Sequence, residues 1–314
     1  MLNAINGSIQ NELSRFFQVI DDSPVSLINV STAAFCKARK KLSYRAFIAL
    51  NNTLNDTFSQ SEQVERWHGL RLLAVDGSVT TLPKNQLLLD HFGKARSHGF
   101  QPAVKISQLY DVKNKITVDL CVESHAIGER NMALKHLEHS QKGDVIVYYR
   151  GYPAVWFFKY HLAKDIEFCT RATLDSSNII KAFVASGNES EIVEFPCVEK
   201  SLRRCRKDGL SPDPINLRLI RIDLPTGTTE ILITSLVDEN KYPTSIFADL
   251  YHQRWDIEED YKVMKSRLNI ENFSGVSIEA ILQDIHAKIL TKNLASIAII
   301  EANKKSENIN VKSM

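Results

Sequence analysis

The sequence predicts an α/β fold with a mixed sheet, and three observations lead to it. From about residue 70, three strand-like runs follow one another. After them, helical and strand-like patterns alternate, which is the texture of helices laid on a sheet rather than of a bundle or a sandwich. The composition of the 314 residues, 44% hydrophobic and 24% charged with 12 Gly and 9 Pro, supplies enough apolar material for a sizeable core. It excludes disordered, fibrous and disulfide-stapled classes.

The elements are read in chain order. Residues 8 to 62 are helical and polar-rich, with Ser31 as the N-cap of TAAFCKARKKL. This predicts a small helical domain over residues 1–65. Its basic cluster, Lys37, Arg39, Lys40, Lys41 and Arg45, reads either as a phosphate-contacting surface or as a solvated helix face, since the segment holds equal numbers of acidic and basic side chains. Strand patterns begin at LRLLAVDGSVTTLP and continue through AVKISQLYDVKNKITVDLCVES, where Lys113-Asn114-Lys115 marks a turn between two antiparallel strands. A helix over ERNMALKHLEHS, a short strand in DVIVYY, a helix over PAVWFFKYHLAKD and a strand in EFCTRAT follow. Residues 174–240 read as a β-rich insertion, with a hairpin at Pro225-Thr226-Gly227. Helical patterns resume near Tyr242, so the main domain is expected over residues 66–302, with a loose tail at 303–314.

Charge and cysteine usage bound the function. With 39 Lys and Arg against 37 Asp and Glu, the net charge of +2 gives no global argument for a nucleic-acid partner, so any such partner has to be argued locally. Five scattered cysteines without a C-x-x-C pair speak against a zinc site and a disulfide framework, and for a reducing cytoplasm. The first twenty residues lack the apolar core of a signal peptide. The stretch ILQDIHAKILTKNLASIAII is broken by Asp284, Lys288, Lys292 and Asn293, so it reads as a packed helix and not a membrane span.

Two residues stand out chemically. Asp76 ends the apolar run LRLLAV and precedes Gly77-Ser78, which puts a carboxylate on a central strand; it reads either as a site carboxylate or as an aspartate making a local turn bond. Glu258 lies in DLYHQRWDIEEDYKVMKSRL. If that segment is one helix, Tyr251, Arg254, Glu258 and Lys265 fall at offsets 0, 3, 7 and 14 and share one stripe. A helix face with i,i+4 ion pairs such as Arg254 to Glu258 is the alternative reading.

The spacing Y-x2-R-x3-E-x6-K at Tyr251, Arg254, Glu258 and Lys265 resembles the signature of the bacterial insertion-sequence family 4 DDE transposases. AVDGSVTTLP resembles the strand of their first catalytic aspartate, GERNMALKHL the helix after it, and YRGYPAVWFF the motif of the second acid; the resemblance covers roughly residues 31–300. It implies a ribonuclease H-like sheet with a β-rich insertion. It implies that Asp76 and Glu258 are catalytic ligands of Mg2+ or Mn2+, that Arg254 and Lys265 contact DNA phosphates, and that Tyr251 holds the transposon end. The implied partners are terminal inverted repeats and target DNA, with assembly as a homodimer on paired ends in a bacterial cytoplasm. Carboxylates suit this chemistry because Mg2+ takes hard oxygen ligands in octahedral geometry, and a pair of such ions can hold the attacking and leaving oxygens of an in-line displacement.

One position departs from the pattern. The family's second acid precedes Arg-Gly-Tyr, and here that place is taken by Tyr149, followed by Arg150, Gly151, Tyr152 and Pro153. A phenol with a pKa of about 10 is a poor Mg2+ ligand at neutral pH. Asp144 lies about 16 Å back along an extended strand, and Asp165 lies beyond the next helix, so neither is placed to substitute. The expectation is a chain that folds and binds DNA but cleaves it poorly, with a catalytically inactive DNA-binding relative as the alternative.

Overall fold

The computed structural model describes residues 8–20, 30–61, 63–94 and 101–312, with side chains of residues 305–312 left aside. Its centre is an eight-stranded sheet in the order β3-β2-β1-β4-β5-β8-β7-β6. The strands are β1 (Arg71–Thr81), β2 (Ala103–Asp111), β3 (Ile116–Ser124), β4 (Asp144–Tyr148), β5 (Glu167–Ala172), β6 (Ser190–Phe195), β7 (Ile215–Asp223) and β8 (Thr229–Thr234). β2 runs antiparallel to β1 and β3, while β4 is parallel to both β1 and β5. This half of the sheet is the ribonuclease H-like arrangement that the resemblance implies.

Side-chain alternation along the strands assigns the two faces. Leu72, Ala74, Val104, Ile106, Val145 and Val147 pack with α4 (Gln86–Phe92), α9 (Phe247–His252), α10 (Trp255–Ser266) and α11 (Ile278–Lys312). Leu73, Val75, Ile146, Tyr148 and Phe168 face the other way, onto α5 (Glu129–His136), α6 (Val155–Leu162) and α7 (Asn178–Ser186). β4 is buried on both faces, which is why DVIVY carries no polar alternation.

The insertion does not form a separate layer. Its strands β6, β7 and β8 extend the main sheet through antiparallel pairing of β8 with β5. It is also less purely β than its Thr, Val and Ile content suggests, because it contains α7 and α8 (Glu199–Lys207). α7 carries its own start and stop signals: Ser177 Oγ accepts from the Ile180 N–H, and Gly187 closes the helix at φ 75°. The hairpin at Pro225–Gly227 is present, with Gly227 at φ 79°.

The N-terminal helices are α1 (Ile9–Ile20), α2 (Thr32–Arg39) and α3 (Arg45–Ser59); residues 21–29 of the expected helical region lie outside the described residues. Ser31 caps α2 as its sequence indicates. These helices are joined to the body: α3 packs on α11 and β3, and Asn293 of α11 bonds Asn51 at 2.7 Å. Arg39 of the basic cluster is committed to Asp284 at 2.7 Å and to the Ala280 carbonyl at 2.9 Å, whereas Lys37, Lys40, Lys41 and Arg45 are exposed. α11 continues to Lys312, through the segment read as a loose tail, of which residues 313–314 lie outside the described residues. Among the described residues no helix is long and apolar enough to cross a membrane.

Candidate active site

The site forms where β1 outruns β4. The last paired residues are Val75 and Tyr148, so Asp76, still on β1, and Tyr149, the residue just past β4, are the first beyond the parallel ladder. Carboxyl ends of neighbouring parallel strands are where α/β sheets leave a crevice open. Burial follows this geometry: Leu72 to Val75 are fully buried, and Asp76 to Val79 are half-buried.

Asp76 makes a local bond, its Oδ1 accepting from the Gly77 N–H at 2.9 Å, but inside a strand and not in a turn. Its carboxyl is pushed up from the usual value, chiefly by burial; the Gly77 N–H and the Arg254 charge oppose this, while the charges of Glu258 and Glu129 add to it. The expected single helix carrying Tyr251 to Lys265 is two helices. α9 ends at His252, and the chain passes through Gln253 and Arg254 with i→i−3 bonds from Arg254 N to Tyr251 O and from Ile257 N to Arg254 O, each 3.2 Å. Because both junction residues stay in the right-handed helical region, the stripe survives the tightening.

α10 is fastened over Asp76 at two points. The Tyr261 hydroxyl donates to the Asp76 carbonyl at 2.9 Å. Asp260, buried, accepts from Gln108 Nε2 of β2 at 2.8 Å and pairs with buried Lys292 of α11. Glu258, in the first turn of α10, is thereby held on the sheet side of the helix with its carboxylate about one-third exposed, and Arg254 Nη1 donates to its Oε1 at 2.8 Å.

Tyr149 completes the cluster. Its ring lies beneath the Arg254 guanidinium at 4.8 Å and beside that of Arg150 at 5.3 Å. Arg254 also covers the Tyr251 and Trp255 rings at 5.6 and 5.5 Å. Arg254 is only 3% exposed, and Tyr251 is buried, so neither presents its polar end to solvent; Lys265, in the last turn of α10, is exposed. The structure thus brings Asp76, Tyr149, Arg254 and Glu258 together and leaves Lys265 further along the same helix.

The other acids weighed from sequence lie elsewhere. Asp144 sits at the opposite end of β4 in a buried two-bond pair with Arg71, at 2.9 and 2.7 Å. Asp165 is exposed near Lys142 at 3.3 Å.

A residue that sequence reading did not single out does reach the site. Glu129 opens α5, and its side chain lies against the two glycines of the crevice: a Cβ on Gly77 would stand 3.7 Å from its Cγ, and one on Gly151 would stand 3.8 Å from its Oε2. Arg130 next to it donates to the carbonyls of Gly151 and Tyr152 at 3.1 Å and of Pro153 at 3.3 Å, tying the loop after β4 to this helix. An acid in the first turn of a helix is common for dipole reasons alone, so nothing in the sequence marked Glu129.

The donor set suits a hard divalent cation. Asp76, Glu258 and Glu129 offer carboxylate oxygens, and the charges of the two glutamates add to the burial that pushes Asp76 up. A second cluster, Asp119, Cys121 and His136, has ligand atoms within 4.8 Å of one another. Its hydrogen bonds are already made: His136 Nδ1 meets Asp119 at 2.6 Å and Nε2 meets Ser107 Oγ at 2.9 Å, with Ser107 and His136 fully buried. Ser107, His136 and Asp119 have the connectivity of a hydrolase triad, but no substrate reaches a nucleophile enclosed in β2. The Asp119 carboxyl is brought down to about 2, by hydrogen bonding and charge from His136 that outweigh burial.

The profile described as "Transposase DDE domain" matches residues 67–294. The chain belongs to this family. The match begins just before β1 and ends within α11, so it takes in both Asp76 and Glu258. A protein of Sinorhizobium fredii designated a candidate transposase, y4zB, is 31% identical over 104 residues, which is 33% of this chain and 28% of that protein. The chain therefore spans well under half the length of this curated relative. A piggyBac transposase, solved as a synaptic complex with hairpin DNA, aligns with a TM-score of 0.48 at 10% identity, over 76% of this chain and 48% of that one.

Proposed function

We propose that this transposase-family chain binds transposon ends and carries out metal-dependent DNA strand cleavage and transfer, at a rate lowered by Tyr149. The observation that supports this most directly is the juxtaposition of Asp76, Tyr149 and Glu258 at the open ends of β1 and β4, with Tyr149 in the place that the insertion-sequence family 4 resemblance gives to the second acid.

In this reading Asp76 and Glu258 hold Mg2+ or Mn2+, which when bound supplies positive charge at the scissile phosphate and activates the attacking oxygen. The chain's own residues set the stage. Tyr261 and Asp260 fix α10 against β1 and β2, and so fix the approach of Glu258 to Asp76. Arg254, buried behind Glu258, orients that carboxylate and screens its repulsion from Asp76. Exposed Lys265 takes a DNA phosphate, a contact whose strength falls steeply with salt. Tyr251 packs beneath Arg254 and steadies it. The protein acts on two ends at once as a homodimer, as the resemblance implies.

The test is a Mn2+-dependent nicking assay on terminal inverted-repeat DNA, with band shifts run in parallel. The proposal expects end binding and slow, metal-dependent nicking that Asp76→Asn abolishes. End binding without nicking in any metal would favour the inactive DNA-binding relative, a reading that the Tyr149 ring itself supports. No band shift even at low salt would remove both.

A further inference from the structure

Resting on the transposase reading of this site, we infer that Glu129 is a third metal-ligating carboxylate, filling from α5 the place that Tyr149 leaves empty on β4.

Position comes first. Glu129 does not project from the strand that bears Tyr149, yet its carboxylate reaches the loop that follows it, since its Oε2 lies 3.8 Å from where a Gly151 Cβ would be. Its Cγ lies 3.7 Å from the corresponding point on Gly77, the residue after Asp76. Two positions without side chains, Gly77 on β1 and Gly151 in the loop after β4, thus leave room for an acid arriving from the opposite face of the sheet. Arg130 holds this approach in place by bonding three successive carbonyls of the loop, which ties α5 to the segment after β4.

The second observation is independent of the acids. Tyr152, on the same loop, is 2% exposed, and its hydroxyl has no hydrogen-bond partner. Burial pushes this phenol's pKa up first, and the charges of Glu129 and then Asp76 add to that against Arg130, so the orphaned hydroxyl lies within reach of both acids. A buried hydroxyl without a partner is destabilising, and that cost is removed when a ligand or its hydration shell fills the gap. Glu129 itself is exposed, so it is free to turn toward a bound ion.

Chemistry agrees with position. Carboxylate oxygens from Asp76, Glu258 and Glu129 form an all-oxygen set of the kind that Mg2+ and Mn2+ take, with remaining positions open to water and phosphate. Tyr149, whose ring lies against the Arg254 and Arg150 guanidinium groups, brings no carboxylate to the set.

The test is Mn2+ binding by titration calorimetry on the full chain, using wild type, Glu129→Gln, Asp76→Asn, Tyr149→Asp and the Glu129→Gln/Tyr149→Asp double variant. Melting temperatures without metal confirm that each is folded. The inference expects wild type to bind Mn2+ and Glu129→Gln to bind at least about 10-fold more weakly. It expects the loss from Glu129→Gln to shrink in the Tyr149→Asp background, where the strand itself supplies a carboxylate to take over. If Glu129→Gln binds like wild type while Asp76→Asn does not, Glu129 is not a ligand and the transposase reading stands without it. If Glu129→Gln weakens binding equally in both backgrounds, Glu129 does not fill the place of the second acid. If neither wild type nor Tyr149→Asp binds Mn2+, this inference and the metal-dependent reading fall together.

Discussion

Asp144 is the acid that a search for a substitute ligand on β4 would reach first, and the structure gives it a different task. It is 2% exposed, receives the Nε and Nη2 of Arg71 at 2.9 and 2.7 Å, and accepts the Gln141 N–H at 2.9 Å. Arg71 is itself 11% exposed, so Asp144→Ala would strand a largely desolvated guanidinium and a backbone donor. Breaking a buried pair from one side costs about 3–5 kcal/mol. With an unfolding entropy of about 2.1 cal/mol/K per residue, a chain of this length has roughly 0.7 kcal/mol/K at its midpoint, so Tm should fall by about 4–7 °C. Because Asp144 pairs with Arg71 at the start of the ladder and Tyr148 with Val75 at its end, Mn2+ affinity should not change. Thermal unfolding and calorimetry on the same sample read both quantities. A variant that keeps its Tm and loses Mn2+ binding would refute the structural assignment.

The remaining predictions concern the body, the helix and the DNA. His161 and His286 are both held near 4 by burial, so their folded pKa values lie below the ordinary 6.5. The folded state then binds fewer protons than the unfolded one, and stability present above about pH 6.5 is lost toward pH 4, at up to about 1.4 kcal/mol per pH unit for each. Asp111, pushed up to about 6 by burial, offsets part of this because its folded form gains a proton as pH falls from 6 to 4. Urea unfolding at pH 7.5, 5.5 and 4.5 should show falling stability, with a shallower fall in His286→Phe; a flat profile would contradict the assignment. Lys292→Ala should leave Asp260 buried and unpaired, cost about 3–5 kcal/mol in unfolding experiments and loosen α10, whereas an unchanged Tm would show that the pair does not anchor it. Lys265→Ala should weaken binding to inverted-repeat DNA and lower the slope of log affinity against log salt by about one, and an unaltered slope would remove its phosphate contact.

Much of the architecture was legible from pattern. Three strand-like runs, DVIVYY and EFCTRAT became β1 to β5, because period-two burial and unbroken apolar runs report directly on half-buried and central strands. α7 and α8 were missed, since β-branched neighbours masked two short helices, although Ser177 and Gly187 spelled out the caps of the first. At the site, Asp76, Tyr149 and Glu258 could be named because each sits in a local string with its own spacing. The burial of Arg254 could not be seen, because it depends on Tyr149 arriving from a strand about a hundred residues away in the chain. Glu129 was invisible for the same reason: its relevance comes from two glycines that are distant in sequence and adjacent in space.

The central claim is that Tyr149 occupies a position where a carboxylate would serve catalysis. Its most direct test compares Mn2+-dependent nicking of inverted-repeat DNA by the native chain and by Tyr149→Asp, at matched protein and metal concentrations. The expected result is at least about 10-fold faster nicking by Tyr149→Asp, with end binding unchanged. Equal rates for the two proteins would contradict it.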